Sequence, residues 1–324
     1  MDNNITNINE KIEAESYLKT GSNELRVLEY RVSGISFGIN ILKVSKIVNE
    51  LTDFTKVPET HPTITGVFKD MDHLIPIVDL AKLLNIENEK TCREKVIVTE
   101  FFGIRTGFQV DRLDWIHHFK WEDVIDTEQV FNKIDQPYVL GIVKPTEEKM
   151  IQLLDYETIL LTLNPDLAKN NKSEYKIEES LHNKKILIAE DSPAVRSMLI
   201  NELTENGFDV KAASDGKQGW DYYQKEDFDL VICDVEMPQM DGLALTLKIR
   251  QSQKSDIPVI VYSSIGDIGM KSRAKFLKAD AHITKLNLDK LLVTVEKLLK
   301  GENINFNGKN DQEITESEEN LLPV

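Results

Sequence analysis

The stretch KKILIAEDSPAVRSML, residues 184–199, decides how the second half of the chain folds. Its short apolar run, 186–189, is typical of a buried β-strand. The run ends directly on two carboxylates, Glu190 and Asp191. Adjacent like charges repel each other and do not stabilise the end of a strand. We therefore expect these two residues to hold a cation.

Strand-like and helix-like segments alternate through the rest of this half. Strands are predicted at 185–190, 209–214, 229–234, 258–263 and 281–285, with amphipathic helical segments between and after them. This alternation predicts a doubly wound α/β parallel sheet of the flavodoxin kind. Functional sites of such sheets lie at the carboxyl ends of the strands.

The predicted strand ends carry side chains with complementary chemistry. Glu190 and Asp191 follow the first strand, Asp234 ends the third, Ser263 ends the fourth and Lys285 ends the fifth. The first and third strands are neighbours in this topology, so the three carboxylates are expected to converge. A hard divalent cation such as Mg²⁺ suits such a cluster. Asp234 can then act as a nucleophile toward a phosphoryl group, whose oxygens Lys285 and Ser263 would neutralise or hydrogen-bond.

This part of the chain, about 184–300, resembles the response-regulator receiver domain. The motifs that carry the resemblance are ILIAEDSPAVR, DLVICDVEMPQMDG, PVIVYSS and AHITK. The resemblance implies that Asp234 is the phosphoacceptor and that Asp191 binds Mg²⁺ directly. It further implies that Glu190 acts through water and that the main-chain carbonyl of Glu236 completes the protein ligands.

Two positions depart from the receiver pattern. By the resemblance, Ser263 is the switch hydroxyl and Lys285 is the lysine typical of the family. Proline usually follows that lysine, whereas this chain has Leu286, so we expect the loop after the fifth strand to be set differently. Three residues before the lysine the family usually carries Tyr or Phe as a rotating signal. Here His282 is either such a switch or an ordinary, partly exposed strand residue.

The first half of the chain has the pattern of an all-β domain. In ISFGINI, residues 35–41, apolar side chains alternate with small or polar ones, which indicates a half-buried strand. Further apolar runs occur in LIPIVDL, KVIVTEF, GFQVDRL and MIQLLD. Short strands in this number predict barrels or a sandwich.

Residues 23–164 resemble the CheW-like coupling domain. The resemblance is carried, in this order, by VLEYRVSGISFGINILKVSKIV, VPETHPTITGVF, LIPIVDLAKLL and VLGIVK. It implies a pair of five-stranded β-barrels without a catalytic centre. It implies as partners the regulatory domain of the chemotaxis histidine kinase CheA and the tips of methyl-accepting receptors.

Two positions bear on the partner interface that this resemblance implies. Val44 matches a position that the family uses against receptors, with plain core packing as the alternative. Many members carry an Arg-Gly pair where this chain has Met71 and Asp72, so we expect the local interface to differ.

Composition and charge limit the remaining classes. The chain has 324 residues, enough for two domains, and its formal net charge of −16 argues against a nucleic-acid surface. Its apolar runs fall short of the roughly 18–20 residues that a membrane span requires, so no direct membrane insertion is expected. The N-terminus lacks the basic and apolar regions of a signal peptide. With two distant cysteines, Cys92 and Cys233, these features predict the reducing cytoplasm.

Three segments are predicted to lie outside the two domains. They are a loose N-terminus, a linker and an acidic, disordered tail, at 1–22, 165–184 and 301–324. The coupling domain is then 23–164 and the receiver 185–300.

Other chemistry-bearing residues are weaker candidates. His117 and His118 are adjacent, so in a strand they point to opposite faces and make a poor metal pair. Trp115 and Trp121 are interpreted as core or rim residues. Cys233 precedes Asp234 in an apolar strand, and we expect a buried thiol.

A coupling domain followed by a receiver resembles the CheV family of chemotaxis proteins. That resemblance implies a cytoplasmic adaptor, associated with receptor arrays at the inner face of the membrane, that links receptors to the kinase and accepts phosphate from it. A role as a phosphate sink that drains the kinase stays open. A transcriptional response regulator would need a DNA-binding output, and neither a basic patch nor a helix-turn-helix pattern is apparent. A phosphatase or transferase would need further catalytic residues, so we predict an adaptor with self-phosphorylation and autodephosphorylation only.

Overall fold

A computed structural model describes most of the chain, in two compact units. The described residues are 24–49, 54–57, 61–71, 73–86, 95–126, 138–170, 173–264, 274–275, 277–302 and 304. Residues Glu24–Leu163 form one unit, and the residues from Asn164 onward belong to the other. The segment 1–22, most of the tail 301–324, and the residues Asp72 and Cys92 lie outside the described residues.

The first unit is built from strands. They are β1 Glu24–Val32, β2 Ile35–Asn40, β3 Val44–Val48, β4 Phe54–Thr55, β5 Ile64–Asp70, β6 His73–Asp79, β7 Lys95–Phe101, β8 Ile104–Val110, β9 Arg112–Lys120, β10 Ile125–Asp126, β11 Val139–Thr146 and β12 Lys149–Leu154. Helices α1 Leu80–Leu83 and α2 Tyr156–Leu163 accompany them, with 3₁₀ turns at Ile41–Lys43 and Trp121–Asp123.

These strands form two sheets. Their orders are β10-β11-β12-β2-β1-β9 and β3-β7-β8-β6-β5-β4. Each sheet contains five strands of five to nine residues and one two-residue strand at an edge. The prediction of two five-stranded β-barrels is therefore confirmed, with a short strand added to each.

Both sheets curl rather than lie flat. In the first, β9 and β10 are opposite edges, yet only the 3₁₀ turn Trp121–Asp123 and Val124 separate them along the chain. In the second, Lys46 on the edge strand β3 places its ammonium 2.6 Å from a carboxylate oxygen of Asp70 on β5, at the far side of the sheet. Such closure protects strand edges from pairing with other chains.

A mainly apolar core joins residues from both sheets and α2. Its aromatic members include Tyr30, Phe108 and Tyr156. The hydroxyls of Tyr30 and Tyr156 lie 2.6 Å apart, which satisfies two polar groups that burial would otherwise leave without water. Burial raises the pKa of both phenols, so the pair stays neutral.

The second unit alternates strands and helices. Its elements are α3 Pro165–Asn170, β13 Lys185–Ala189, α4 Pro193–Glu205, β14 Asp209–Ala213, α5 Gly216–Lys225, β15 Leu230–Asp234, α6 Gly242–Arg250, β16 Val259–Ser263, β17 Ala281–Thr284 and α7 Leu288–Leu299. The strands form one parallel sheet in the order β14-β13-β15-β16-β17. The predicted doubly wound sheet is confirmed, and each predicted strand differs from the observed one by a single residue at one end.

The strength of that prediction comes from burial on both faces of the sheet. Every residue of β15 and of β16 is buried. Strands covered on both faces appear in the sequence as continuous apolar runs. The ends of such runs therefore predict the ends of the strands accurately, and with them the position of the candidate site.

Candidate functional site

Three carboxylates meet at the carboxyl edge of the parallel sheet. Ala189 of β13 pairs with Cys233 of β15, so the next residues, Glu190 and Asp234, stand side by side. Glu190, Asp191 and Asp234 each offer a carboxylate oxygen within 4.8 Å of the others. Glu190 and Asp234 are buried and Asp191 is partly buried. The predicted convergence is thus present in the structure.

Lys285, which directly follows the edge strand β17, also contacts this cluster. Its ammonium lies 2.8 Å from Oε1 of Glu190 and 3.0 Å from Oδ2 of Asp234, and its side chain is 0% exposed. Its backbone N–H donates to the carbonyl of Ser263 at 2.9 Å, which extends the pairing of β17 with β16. Three carboxylates and one ammonium leave two negative charges.

A divalent cation fits this donor set. The cluster supplies hard oxygen ligands, which Mg²⁺ prefers, and a dication would offset the repulsion between three carboxylates whose oxygens lie within 4.8 Å of one another. Within the described part of the chain, Glu190, Asp191 and Asp234 are the one group of three such residues close enough to share an ion.

Backbone hydrogen bonds hold the side chain of Asp234, the phosphoacceptor candidate, and the loop that follows it. The N–H of Val235 donates to Oδ1 of Asp234 at 2.6 Å, and the N–H of Gly242 donates to the carbonyl of Val235 at 3.0 Å. A methyl group on Gly242 would come within 1.9 Å of the carbonyl oxygen of Asp234. Glycine is therefore required where α6 begins, because the helix start lies directly against the site.

Arg196, in α4, contacts the backbone of the acidic pair Glu190 and Asp191. Its Nη1 donates to the carbonyl of Glu190 at 2.7 Å and to that of Asp191 at 3.0 Å. The N–H of Ser192 donates to Oε1 of Glu190 at 3.2 Å. We did not predict this role for Arg196, although a cation in the first turns of the helix after an acidic pair is a usable signal.

His282 and Leu286, the two positions that depart from the receiver pattern, are both buried, and so is the switch candidate Ser263. His282 lies in β17 and is buried, so the interpretation as a partly exposed strand residue is wrong. Packing between parallel strands and helices buries this position. Ser263 is buried at the end of β16, beside the backbone of Lys285.

Leu286 sets the loop after β17 in an unusual way. It has φ +65°, and its peptide bond with Lys285 is trans. Its N–H donates to the hydroxyl of Tyr262 at 2.8 Å. Proline could adopt neither this φ nor this hydrogen bond, so the predicted difference in loop setting has a physical basis.

Asp241 is a buried carboxyl beside the site that we did not single out. It caps α6, where its Oδ1 accepts from the N–H of Ala244 at 2.6 Å. Burial raises the pKa of Asp241 to about 7. An Asp-Gly pair before an apolar periodic segment is an N-cap pattern, and this signal was available in the sequence.

The candidate interface residues of the first unit lie at the surface of the second sheet. Val44 begins the edge strand β3, is half-buried and packs against the core. Met71 is 86% exposed, with φ +52°, in the turn between β5 and β6. Leu74 nearby is also exposed. The packing of Val44 suits either of the roles considered for it, whereas Met71 contributes nothing to the core.

The weaker candidates are accounted for by their surroundings. His117 is partly buried and lies 2.8 Å from Oε2 of Glu29, whereas His118 is exposed, as expected for opposite faces. Trp121 is buried and Trp115 is 73% exposed. Cys233 is buried, which confirms the predicted buried thiol, and burial raises its pKa to about 12.

Glu29 anchors a polar cluster that we did not predict. It is buried in β1 and accepts hydrogen bonds from Lys149 at 2.7 Å and Ser36 at 3.0 Å, in addition to its contact with His117. Burial opposes ionisation of Glu29, but these partners lower its pKa. The cluster ties β1 to β2, β9 and β12.

No helix in the described ranges has the length and apolarity needed to cross a bilayer.

Family comparisons match both halves of the chain. The CheW-like domain family matches residues 26–163, and the response regulator receiver domain family matches residues 186–296. The solved scaffolding protein TtCheW of Thermoanaerobacter tengcongensis is 26% identical, with a TM-score of 0.37 over 40% of this chain and 88% of that chain.

Two relatives cover nearly the whole chain. Chemotaxis protein CheV3 of Helicobacter pylori is 33% identical over 85% of this chain and 95% of its own length. Chemotaxis protein CheV2 of the same organism is 25% identical over 86% of this chain and 96% of its own length. Because the likeness to CheV3 runs through both domains in the same order, the chain belongs to the CheV family of chemotaxis proteins, signal-transduction adaptors built from a CheW-like domain and a receiver.

Proposed function

We propose that this adaptor couples methyl-accepting receptors to the chemotaxis histidine kinase CheA and that phosphorylation of Asp234 regulates the coupling. The observation that carries the proposal is the convergence of Glu190, Asp191, Asp234 and Lys285 in one buried cluster. A structural role alone would favour apolar residues at these strand ends, since a buried ion cluster is weakly stabilising at best.

Mg²⁺ is the proposed cofactor. Asp191 and Asp234 would bind it directly, Glu190 through water and Glu236 through its main-chain carbonyl. When bound, the ion supplies positive charge next to the phosphoryl oxygens. Arg196 holds the backbone that positions Asp191.

The proposed transfer moves a phosphoryl group from a phosphohistidine of the kinase to Asp234. A carboxylate oxygen attacks phosphorus, an O–P bond forms, the N–P bond breaks, and its electron pair returns to the imidazole nitrogen. Lys285 neutralises charge on the phosphoryl oxygens and Ser263 donates a hydrogen bond. Attack of water on phosphorus later releases inorganic phosphate and restores the carboxylate. The chemistry is confined to the chain's own aspartyl phosphate, as suits an adaptor.

The first unit supplies the proposed contacts with partners. The regulatory domain of the kinase and the receptor tips are the proposed ligands, with Val44 and Met71 as interface residues. The exposure of Met71 supports this assignment, because it leaves the side chain available for contact with a partner. We place the protein in the cytoplasm, at receptor arrays on the inner face of the membrane.

Phosphotransfer tests the proposal. The phosphorylated kinase is mixed with the full chain and Mg²⁺, and label on the chain is followed. We expect rapid labelling of the unmodified chain, none of Asp234→Asn, and normal labelling of the control Asp221→Asn, which changes an exposed residue of α5. Labelling of Asp234→Asn at the normal rate would contradict the assignment. Labelling combined with unchanged partner binding would favour a phosphate sink over a regulated coupler.

A further inference from the structure

A segment predicted as linker is docked along the last helix of the receiver. We call residues Ser173–Leu181 the strap. Ser173, Ile177 and Leu181 of the strap are buried, although the segment precedes the first strand of the sheet. Burial of two apolar side chains indicates a packed segment rather than a solvated connection.

Three polar contacts join the strap to α7 and the residue after it. They are Ser173 Oγ donating to Asp289 Oδ1, Tyr175 OH donating to Glu296 Oε2 at 2.6 Å, and Lys300 Nζ paired with Glu178 Oε2 at 2.5 Å. Lys300 also contacts Glu296 at 2.7 Å, which links the last two anchors. The anchors follow the same order along the strap and along the helix.

The spacing of these anchors matches the geometry of an extended chain on a helix. Five residue steps from Ser173 to Glu178 span about 17 Å when extended. Eleven steps from Asp289 to Lys300 rise about 16 Å along an α-helix. The strap therefore covers the full length of α7 in register, which three unrelated surface contacts would not produce.

The downstream end of the strap is fixed as well. The N–H of Asn183 donates to the carbonyl of Gly207 at 2.7 Å. Gly207 has φ +87°, and a methyl group there would lie 2.6 Å from the ring of His182. The chain is thus held directly after the strap, before it enters β13.

The helix under the strap begins next to the candidate site. Lys285, which contacts Glu190 and Asp234, is separated from α7 by Leu286 and Asn287 only. The side chain of Asn287 caps the helix by accepting from the N–H of Lys290 at 3.2 Å. A change in the contacts of Lys285 therefore acts directly on the start of α7.

We propose that the strap is a conformational output of the receiver, docked when Asp234 is unmodified and loosened when it is phosphorylated. This inference rests on the proposed phosphorylation of Asp234. A phosphoryl group would draw Lys285 away from its present partners and shift the α7 start. The three short polar contacts of the strap depend on the position of α7. Displacement of this helix lengthens or bends them and so weakens them. Thermodynamic linkage makes the coupling reciprocal. Weaker docking of the strap therefore favours the form of the receiver in which Asp234 is phosphorylated.

Hydrogen exchange in the full chain tests the strap. Amide exchange over residues 173–184 is measured with Mg²⁺, before and after addition of beryllofluoride as a phosphoryl mimic. We expect exchange to become several-fold faster on addition, and to stay unchanged in Asp234→Ala. Calorimetry on the same samples establishes whether beryllofluoride binds.

A matched variant tests the reciprocal effect. Tyr175→Phe with Glu178→Gln removes one hydrogen bond and one ion pair of the strap, and Glu174→Gln makes the same charge change at an exposed strap residue. We expect the double variant to exchange faster without the mimic and to bind beryllofluoride about two- to five-fold more tightly. The control should match the unmodified chain.

The outcomes separate this inference from the proposed function. Binding of the mimic with unchanged strap exchange would overturn the inference and leave phosphorylation standing. Failure of the mimic to bind would overturn both. Unchanged exchange in the double variant would show that the anchors do not hold the strap, which also overturns the inference.

Discussion

Lys285 reaches Asp234 across an intervening strand. The ammonium of Lys285 lies 3.0 Å from Oδ2 of Asp234, although β16 separates β17 from β15 in the sheet. Its long side chain lies over the strand end and is fully buried. The phosphoacceptor candidate is therefore held by a counter-charge before any metal or phosphoryl group arrives.

Replacing this counter-charge should destabilise the receiver. Lys285→Met leaves Glu190 and Asp234 buried without their cation, and removal of one partner from a buried pair typically costs about 3–5 kcal/mol. Mg²⁺ should recover more stability in this variant than in the unmodified chain, because it supplies the missing charge. Urea unfolding with and without Mg²⁺ measures both effects. Lys217→Met, at an exposed position of α5, is the control, and equal losses in the two variants would contradict the account.

Leu286 should not tolerate proline. Leu286→Pro forces a φ near −65° at a residue with φ +65° and removes the N–H that donates to Tyr262. We expect a loss of about 3 kcal/mol or more in the free energy of unfolding. Leu286→Gly keeps the N–H and relieves the backbone, at the cost of a buried side chain. Thermal unfolding compares the two, and proline that is no worse than glycine would refute this explanation of the loop.

Gly242 should be required for the geometry of the phosphoacceptor. In Gly242→Ala the new methyl group meets the backbone of Asp234, so α6 or β15 must move. We expect lower stability together with slower phosphorylation of Asp234. Gly219→Ala adds a methyl group in α5 whose nearest neighbour is a side-chain atom at 3.2 Å, and its effect should stay within about 1 kcal/mol. Normal phosphorylation of Gly242→Ala would contradict the prediction.

Asp241 should give the receiver a pH dependence that a neutral amide removes. Its folded-state pKa is raised to about 7 from 3.8, so the folded chain retains a proton that the unfolded chain has lost between these values. The contribution of the Asp241 carboxyl to the free energy of unfolding is complete below about pH 4 and is lost as the pH rises through 7. Asp241→Asn keeps an oxygen acceptor for the helix cap and carries no charge.

The stability difference between Asp241→Asn and the unmodified chain should therefore grow from pH 4 to pH 7 in favour of the variant. It should then level off at no more than about 4 kcal/mol. Urea titrations at several pH values measure it. Asp215→Asn, a partly exposed cap of α5, serves for comparison. A difference that stays constant with pH would refute the assignment to Asp241.

The sequence predicted the parallel sheet better than it predicted the loops around it. Buried strands are continuous apolar runs, so their ends, and the convergence of Glu190, Asp191 and Asp234, followed from the pattern. The burial of His282 did not follow, because a lone histidine in a short strand carries no signal of what covers it. The φ of Leu286 depends on Tyr262, which lies 24 residues earlier.

Long-range side-chain contacts also could not be predicted from the sequence. The strap contacts join residues 116 or more positions apart in the chain, and the Asn- and Lys-rich composition of 164–185 favoured a solvated linker. The buried Glu29 depends on Lys149, 120 positions away. Such contacts depend on packing between elements, which local patterns do not contain.

Regulation of the coupling through Asp234 is tested by the affinity of the full chain for the regulatory domain of the kinase. This affinity is measured with Mg²⁺, before and after addition of beryllofluoride, with Asp234→Ala as the control. We expect the affinity to change on addition in the unmodified chain and to stay the same in Asp234→Ala. An affinity that is unchanged although beryllofluoride has bound would contradict regulation of the coupling through Asp234.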